Sequence, residues 1–257
     1  MQGRYFKKEI RPEIDVAALA AGNITEGEVL FDWKSFDIPN GASCMVDMVV
    51  MYRGKNGTAN GGKDFECFWA KSHNGAAPTT FGDDGADVDT PGWFHQIEGK
   101  TFVDTSNGGN DNDLIYLNII SNTSTSNGVT AGSDTTFFPH QTPIVLQPEP
   151  NTGPTGFGKA YVSGIAKVTH NWGPSTMTVD GTMSTSSPIL TVADLDATIA
   201  LAPGDVLRDE DNNLLGTVKS VDSTTQVTLE ANLANASAND KIVYNTTPIT
   251  LICSFEH

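Results

Sequence analysis

Apolar residues along this chain gather into short runs separated by stretches of Gly, Asn, Asp, Ser and Thr, a pattern that predicts many short β-strands. Residues 28–38 read as a strand with large apolar side chains, closed by Pro39, Asn40 and Gly41. Residues 44–52 are the most hydrophobic segment and are expected as a central strand, with residues 65–70 pairing to it across a connection that holds two Asn-Gly steps. Residues 93–97 and 101–104 read as short strands or a folded edge, residues 113–121 as a core strand, and residues 137–138 and 142–146 as returns to the sheet. Asn-Gly accepts positive φ at both positions and marks tight hairpins; it recurs at Asn40, Asn56, Asn60, Asn74, Asn107 and Asn127. The best helix candidate, residues 14–21, is short, apolar and ended by Gly22-Asn23. Long polar connections at 73–92 and 122–136 are of a length that marks functional or mobile loops.

The region 188–244 is denser still in strands and turns. Apolar segments at 206–207, 214–221, 226–229 and 242–244 alternate with turns at 209–213 and 222–225, whose Asp, Asn and Ser side chains bond nearby backbone groups. Strands this short bury little unless they curl, so a small SH3-like barrel or roll is expected. It is flanked by strand candidates at 159–169 and 249–255, and a lone terminal strand must pair with something earlier. The fold expected is therefore all-β: a β-sandwich, the jelly roll being one form of it, with a small barrel or roll inserted before the last strand. The divisions are an N-terminal arm with a short helix (1–22), a main sandwich (23–172 plus 248–257) and an inserted module (173–247).

Charge refines this picture. The chain of 257 residues carries a net charge of −16, but residues 1–71 hold nine Lys/Arg against ten Asp/Glu, so nearly all of the excess lies beyond them. An acidic majority argues against direct binding to nucleic acid. The one basic concentration is Arg4, Lys7, Lys8 and Arg11, read either as a solvated terminus or as an arm that docks on an acidic partner. Residues 3–15 are charged and broken by Pro12, with no secretory apolar core after them, and no apolar run approaches the ~20 residues of a membrane span. Cys44, Cys67 and Cys253 are odd in number and lie in apolar segments, so buried thiols are expected, without a disulfide framework.

Candidate chemistry is sparse. Residues 108–114 and the alternation Asp209, Asp211, Asn213 suggest calcium loops, yet the first lacks the repeat such loops need and the second lacks the Gly and the bidentate Glu, so both read as polar turns. Asp83, Asp84, Asp87 and Asp89 form a third acidic group, read as a solvated loop. The five histidines are scattered and fit no zinc motif, no nucleophile elbow occurs, and residues 57–63 miss the hydroxyl a phosphate loop requires. No catalytic residue, metal or cofactor is assigned. Of the tryptophans, Trp33 and Trp69 read as core, and Trp93, beside the acidic loop, as a possible contact residue.

The run Gly204 to Leu207, then Asn213 to Val218, then Ser220 to Leu229, followed by Ala236 to Ile242, resembles a β-module that recurs in structural proteins of tailed bacteriophages, notably those of marine bacteria. The resemblance covers about a quarter of the chain and contains no catalytic motif. It implies a non-enzymatic virion protein, assembled in the host cytoplasm, whose partners are the major capsid protein or other virion proteins and further copies of itself. A decoration or cement protein on the outer shell is the first expectation, its near-neutral 1–71 part facing the shell and its acidic remainder facing outward. A tail or fibre protein that binds a host glycan through 73–92 and Trp93 is the alternative, and a secreted carbohydrate-binding module or hydrolase the third.

Overall fold

A computed structural model describes residues 4–52, 64–89, 92–103, 117–118, 144–171 and 176–257. The elements run β1 (Tyr5–Ile10), α1 (Val16–Ala21), β2 (Asn23–Ile24), β3 (Val29–Pro39), β4 (Ser43–Tyr52), β5 (Phe65–Lys71), β6 (Ile97–Val103), β7 (Leu117–Asn118), β8 (Ile144–Leu146), β9 (Phe157–Ala166) and β10 (His170–Asn171). There follow β11 (Thr178–Val179), β12 (Ile189–Ala193), α2 (Ala197–Ala200), β13 (Val206–Asp209), β14 (Leu214–Ser223), β15 (Gln226–Leu229), β16 (Val243–Asn245) and β17 (Ile249–Glu256).

The protein is an all-β sandwich. One sheet has the order β1-β17-β4, with β7 and β8 both on the far edge of β4; the other has the order β3-β9-β5-β6. Strand alternation, interrupted once where the β4–β17 register shifts between Met45 and Asp47, puts Met45, Met48, Val50 and Tyr52 of β4 and Leu251, Cys253 and Phe255 of β17 into the space between the sheets. Phe65, Cys67 and Trp69 of β5 and Phe36 and Ile38 of β3 meet them there. Phe36 stands edge-on to Trp69 at 6.0 Å and stacks on Phe255 at 6.4 Å, tying the two sheets. The terminal strand β17 lies between β1 and β4, pairing with residues far earlier in the chain.

Three expectations change. Residues 65–70 do not pair with the 44–52 strand: β5 lies in the opposite sheet, between β9 and β6, because its apolar face is needed across the core from β4. Residues 5–10, expected in an arm, are sheet strand, since pairing with β17 gives Phe6 and Ile10 the main core to pack on. Residues 97–103 are one strand, preceded by a 3₁₀ turn at Phe94–Gln96. The helix ends as expected, with Gly22 in the left-handed region at φ 86°. The expected strand and turns at 113–121, 122–136 and 137–138 lie, except for β7, outside the described residues, as do 108–114, 57–63 and Trp172.

The stretch 73–89, with Trp93 after it, folds onto the outer face of the β3-β9-β5-β6 sheet. Phe81 and Trp93 are buried there with Val29, against Trp33, Phe68 and Ile165. The main chain is stitched to the edge of β3 through Val29 N–H to Ala86 O (2.8 Å) and Gly85 N–H to Val29 O (2.8 Å). This sheet is thus covered on both faces, which is why the middle of β9 is buried without alternation.

Residues 176–245 make a six-stranded sheet, order β11-β12-β15-β14-β13-β16, around a separate core of Val192, Leu207, Leu215, Val218, Val227 and Leu229. Its ends meet at the bridge of Thr178 with Ile242, where Val179 N–H bonds Lys241 O (2.9 Å) and Val243 N–H bonds Met177 O (2.8 Å), so the sheet curls into a roll without a continuous ladder closing it as a barrel. The 209–213 turn is made as its residues require: Asp209 Oδ1 accepts the Asp211 and Asn213 N–H groups, and Asn212 takes φ 64°.

Candidate functional site

The four basic residues singled out near the start do not form one patch. Arg4 is exposed and its main chain exchanges both hydrogen bonds with His257. Lys7 is exposed and lies opposite Ser254, and Lys8 places its ammonium 5.7 Å from the centre of the Phe157 ring. Arg11 is turned inward. Its Nε donates to Glu9 Oε1 at 2.6 Å and its Nη1 to Asp205 Oδ1 at 2.8 Å, with the Asp205 side chain fully buried.

Around this pair the roll is docked to the sandwich. Asp205 Oδ2 accepts Ala202 N–H at 2.9 Å and Asn245 Nδ2 at 2.8 Å; Ile14 N–H donates to Thr246 O at 2.7 Å. Glu13 lies between Lys34 of the sandwich (3.2 Å) and Arg208 of the roll (3.4 Å). Gly204 has φ +90°, and a Cβ there would sit 2.8 Å from Arg11 Cζ, so the guanidinium lies flat on bare backbone. The segment 10–14 is therefore the strap between the two bodies.

On the covering loop, Trp93, expected as a contact residue, is 6% exposed, while its neighbour Phe94 is 72% exposed. The 3₁₀ turn over 94–96 decides which ring points out, and the sequence offers no signal for that beyond the adjacency of two aromatics. His95, next to Phe94 in the chain, meets the ring of His73 edge to face at 4.6 Å, and both histidines are exposed. Glu149 accepts Asn74 N–H at 2.8 Å and Gly75 N–H at 2.7 Å, and these backbone hydrogen bonds hold its carboxyl below the usual range.

The acidic group on this loop is split. Asp83, Asp87 and Asp89 are exposed, but Asp84 is drawn in to accept Asp15 N–H at 2.7 Å and Asp32 N–H at 3.1 Å. Asp32 in turn accepts Phe81 N–H at 2.7 Å. Among the described residues no group of three or more His, Cys, Asp or Glu is arranged to hold a metal ion. Cys67 and Cys253 are buried thiols, and burial pushes the Cys67 thiol up to about 12.

Burial raises the Asp84 carboxyl to about 7, against two backbone hydrogen bonds that pull it down. An unfolded Asp titrates near ~3.9, so between there and about 7 the folded chain holds a proton that the unfolded chain has lost. Stability from this group is complete below the unfolded pKa and is lost as pH rises through about 7. The covering loop is expected to open more easily at pH 8 than at pH 5 by about 1–2 kcal/mol, after allowing for solvent screening of a partly exposed group. Amide exchange of residues 81–89, corrected for intrinsic rates, checks this; Asp84→Asn should flatten the dependence.

No family model and no curated protein matches the chain. The crystal structure of Cucumber Necrosis Virus aligns over 99% of this chain and 95% of that one, at 10% identity and a TM-score of 0.17. That is a faint likeness to a viral particle, and at so low a score it carries no argument.

Proposed function

We propose that this chain is a non-enzymatic structural protein of a tailed-phage virion, bound to the outer shell as a decoration protein. The observation that carries the reading is what its polar side chains do. Asp32, Asp84, Glu149, Asp205 and Asp209 are engaged by backbone N–H groups or by Arg11 and tie loops and bodies together. Such ties suit a rigid building block, and the resemblance of the roll to phage structural modules points the same way. The concentration of negative charge beyond residue 71 would keep neighbouring particles apart.

The test is quantitative mass spectrometry of purified particles. A copy number equal to that of the major capsid protein, or a simple fraction of it, is expected; absence from particles overturns the virion reading. The basic start is tested by charge and not by truncation, because Tyr5–Ile10 is part of a sheet. Neutralising Arg4 and Lys8 together is expected to weaken binding to undecorated capsids, and unchanged binding would remove them as shell contacts.

A second reading, a tail or fibre protein that binds a host glycan, draws on exposed Phe94 and on the exposed pair of His73 and His95, the latter next to it in the chain, rings of the kind sugars stack on. A copy number far below that of the shell protein, with glycan binding lost in Phe94→Ala, would favour it.

A further inference from the structure

β1 is the outermost strand of its sheet: β17 pairs with one edge, and among the described residues no strand pairs with the other. The ladder shows which groups face that open edge. Arg4 N–H donates to His257 O at 3.1 Å and His257 N–H returns the bond to Arg4 O at 3.0 Å. Bonded and non-bonded pairs alternate in an antiparallel ladder, and the β1–β17 register from Tyr5 to Ile10 has no shift. Phe6, Lys8 and Ile10 therefore turn their N–H and C=O groups toward β17, and Tyr5, Lys7 and Glu9 turn theirs away. The side chains of Tyr5, Lys7 and Glu9 are also exposed. This is a regular edge without proline, the kind that accepts another strand.

Lysine on an edge ordinarily discourages pairing, but here Glu9 follows Lys7 on the same face; its Oε1 bonds Arg11, and its second oxygen is the one offered to a lysine across the edge, which makes the edge self-complementary. We propose that the open edge of β1 pairs antiparallel with β1 of a second copy of this chain, continuing the sheet across a two-fold axis at Lys8. Bonded pairs on the new ladder must join the outward-turned residues. With the axis at Lys8, Lys7 of each copy stands opposite Glu9 of the other, and Phe6 opposite Ile10. Two opposite-charge pairs and two apolar pairs then outweigh the single like pair, Lys8 on Lys8, whose ammonium is drawn toward the Phe157 ring. An axis at Lys7 sets Lys7 on Lys7 and opposes Tyr5 to Glu9; an axis at Phe6 sets Lys8 against Arg4. Glu9 also decides against a foreign acidic strand, which would satisfy Lys7 but meet Glu9 with like charge.

A single strand pair buries less than a standard interface, so the dimer is expected to be weak in solution, with Kd on the order of 10–1,000 μM. The seam does not depend on where the protein sits in a particle. Sedimentation equilibrium of the full chain over a wide concentration range should show a mass rising toward two chains. Lys7→Pro removes an N–H that faces the open edge and leaves the β17 ladder intact, so association should fall at least tenfold with the circular dichroism unchanged. Lys7→Thr keeps the N–H and should lose only a few-fold. A chain that stays monomeric throughout, or a proline variant that associates like the parent, overturns the seam. Should the proline variant fail to fold, Lys7→Glu, which sets Glu against Glu9, decides in its place: undiminished association overturns the proposal.

Discussion

Arg11→Ala is expected to lower the unfolding free energy by about 2–3 kcal/mol and to loosen the roll from the sandwich. Arg11 donates to a carboxylate that has no solvent exposure, so truncation takes a charged donor from buried Asp205, to which the neutral donors Ala202 N–H and Asn245 Nδ2 still bond. Breaking a fully buried pair costs about 3–5 kcal/mol. The smaller figure follows because Arg11 itself is 21% exposed and Asp205 keeps the bonds from Ala202 N–H and Asn245 Nδ2. The roll has its own core, so the loss should appear as two separated transitions in chemical denaturation, the earlier one accompanied by faster amide exchange at Val206 and Thr246. Arg11→Ala with Asp205→Asn should recover part of the loss, since the buried charge goes with its partner. A single variant within about 0.5 kcal/mol of the parent would mean that the strap contributes little.

Gly164→Val should be at least as damaging, costing about 3 kcal/mol or more. Gly164 lies in the middle of β9, and even a single Cβ there would fall 2.5 Å from Phe31 Cε1 and 2.6 Å from Cζ. Phe31 cannot give way, because it is fully buried and packs edge-on against Phe65 at 6.4 Å. β9 pairs with β3 on one side and β5 on the other, so a shift of its backbone would disturb both ladders. Thermal unfolding would show the effect, and Gly156→Val supplies a contrast: nothing lies within 4 Å of a Cβ there, and any cost comes from its φ of +85° alone. If Gly164→Val costs as much in a Phe31→Ala background as in the parent, the clash is not the cause.

Much of the strand layout was legible because it depends on local pattern. Residues 226–229 were read to the residue as the strand they form, and the apolar 44–52 run is the central strand of its sheet. Gly22 ends the helix for the reason its position suggested, and the 209–213 turn is held by the Asp209 side chain. The candidate sites were far less legible. Trp93 and Phe94 are adjacent aromatics, and burial beneath the loop claims the first and leaves the second outside. Arg11 reads in sequence like Arg4, Lys7 and Lys8, yet its partner Asp205 is nearly two hundred residues away.

Local pattern supplies the material: short strands, tight turns, thiols in apolar runs and an excess of acidic residues, set by composition, side-chain period and turn chemistry within a few residues. Long-range packing alone decided which sheet β5 joins, that the polar 73–89 stretch covers a sheet face, and that Arg11 straps the roll to the sandwich. Those outcomes depend on which distant apolar faces and charges meet, and burial makes that choice over the whole molecule at once.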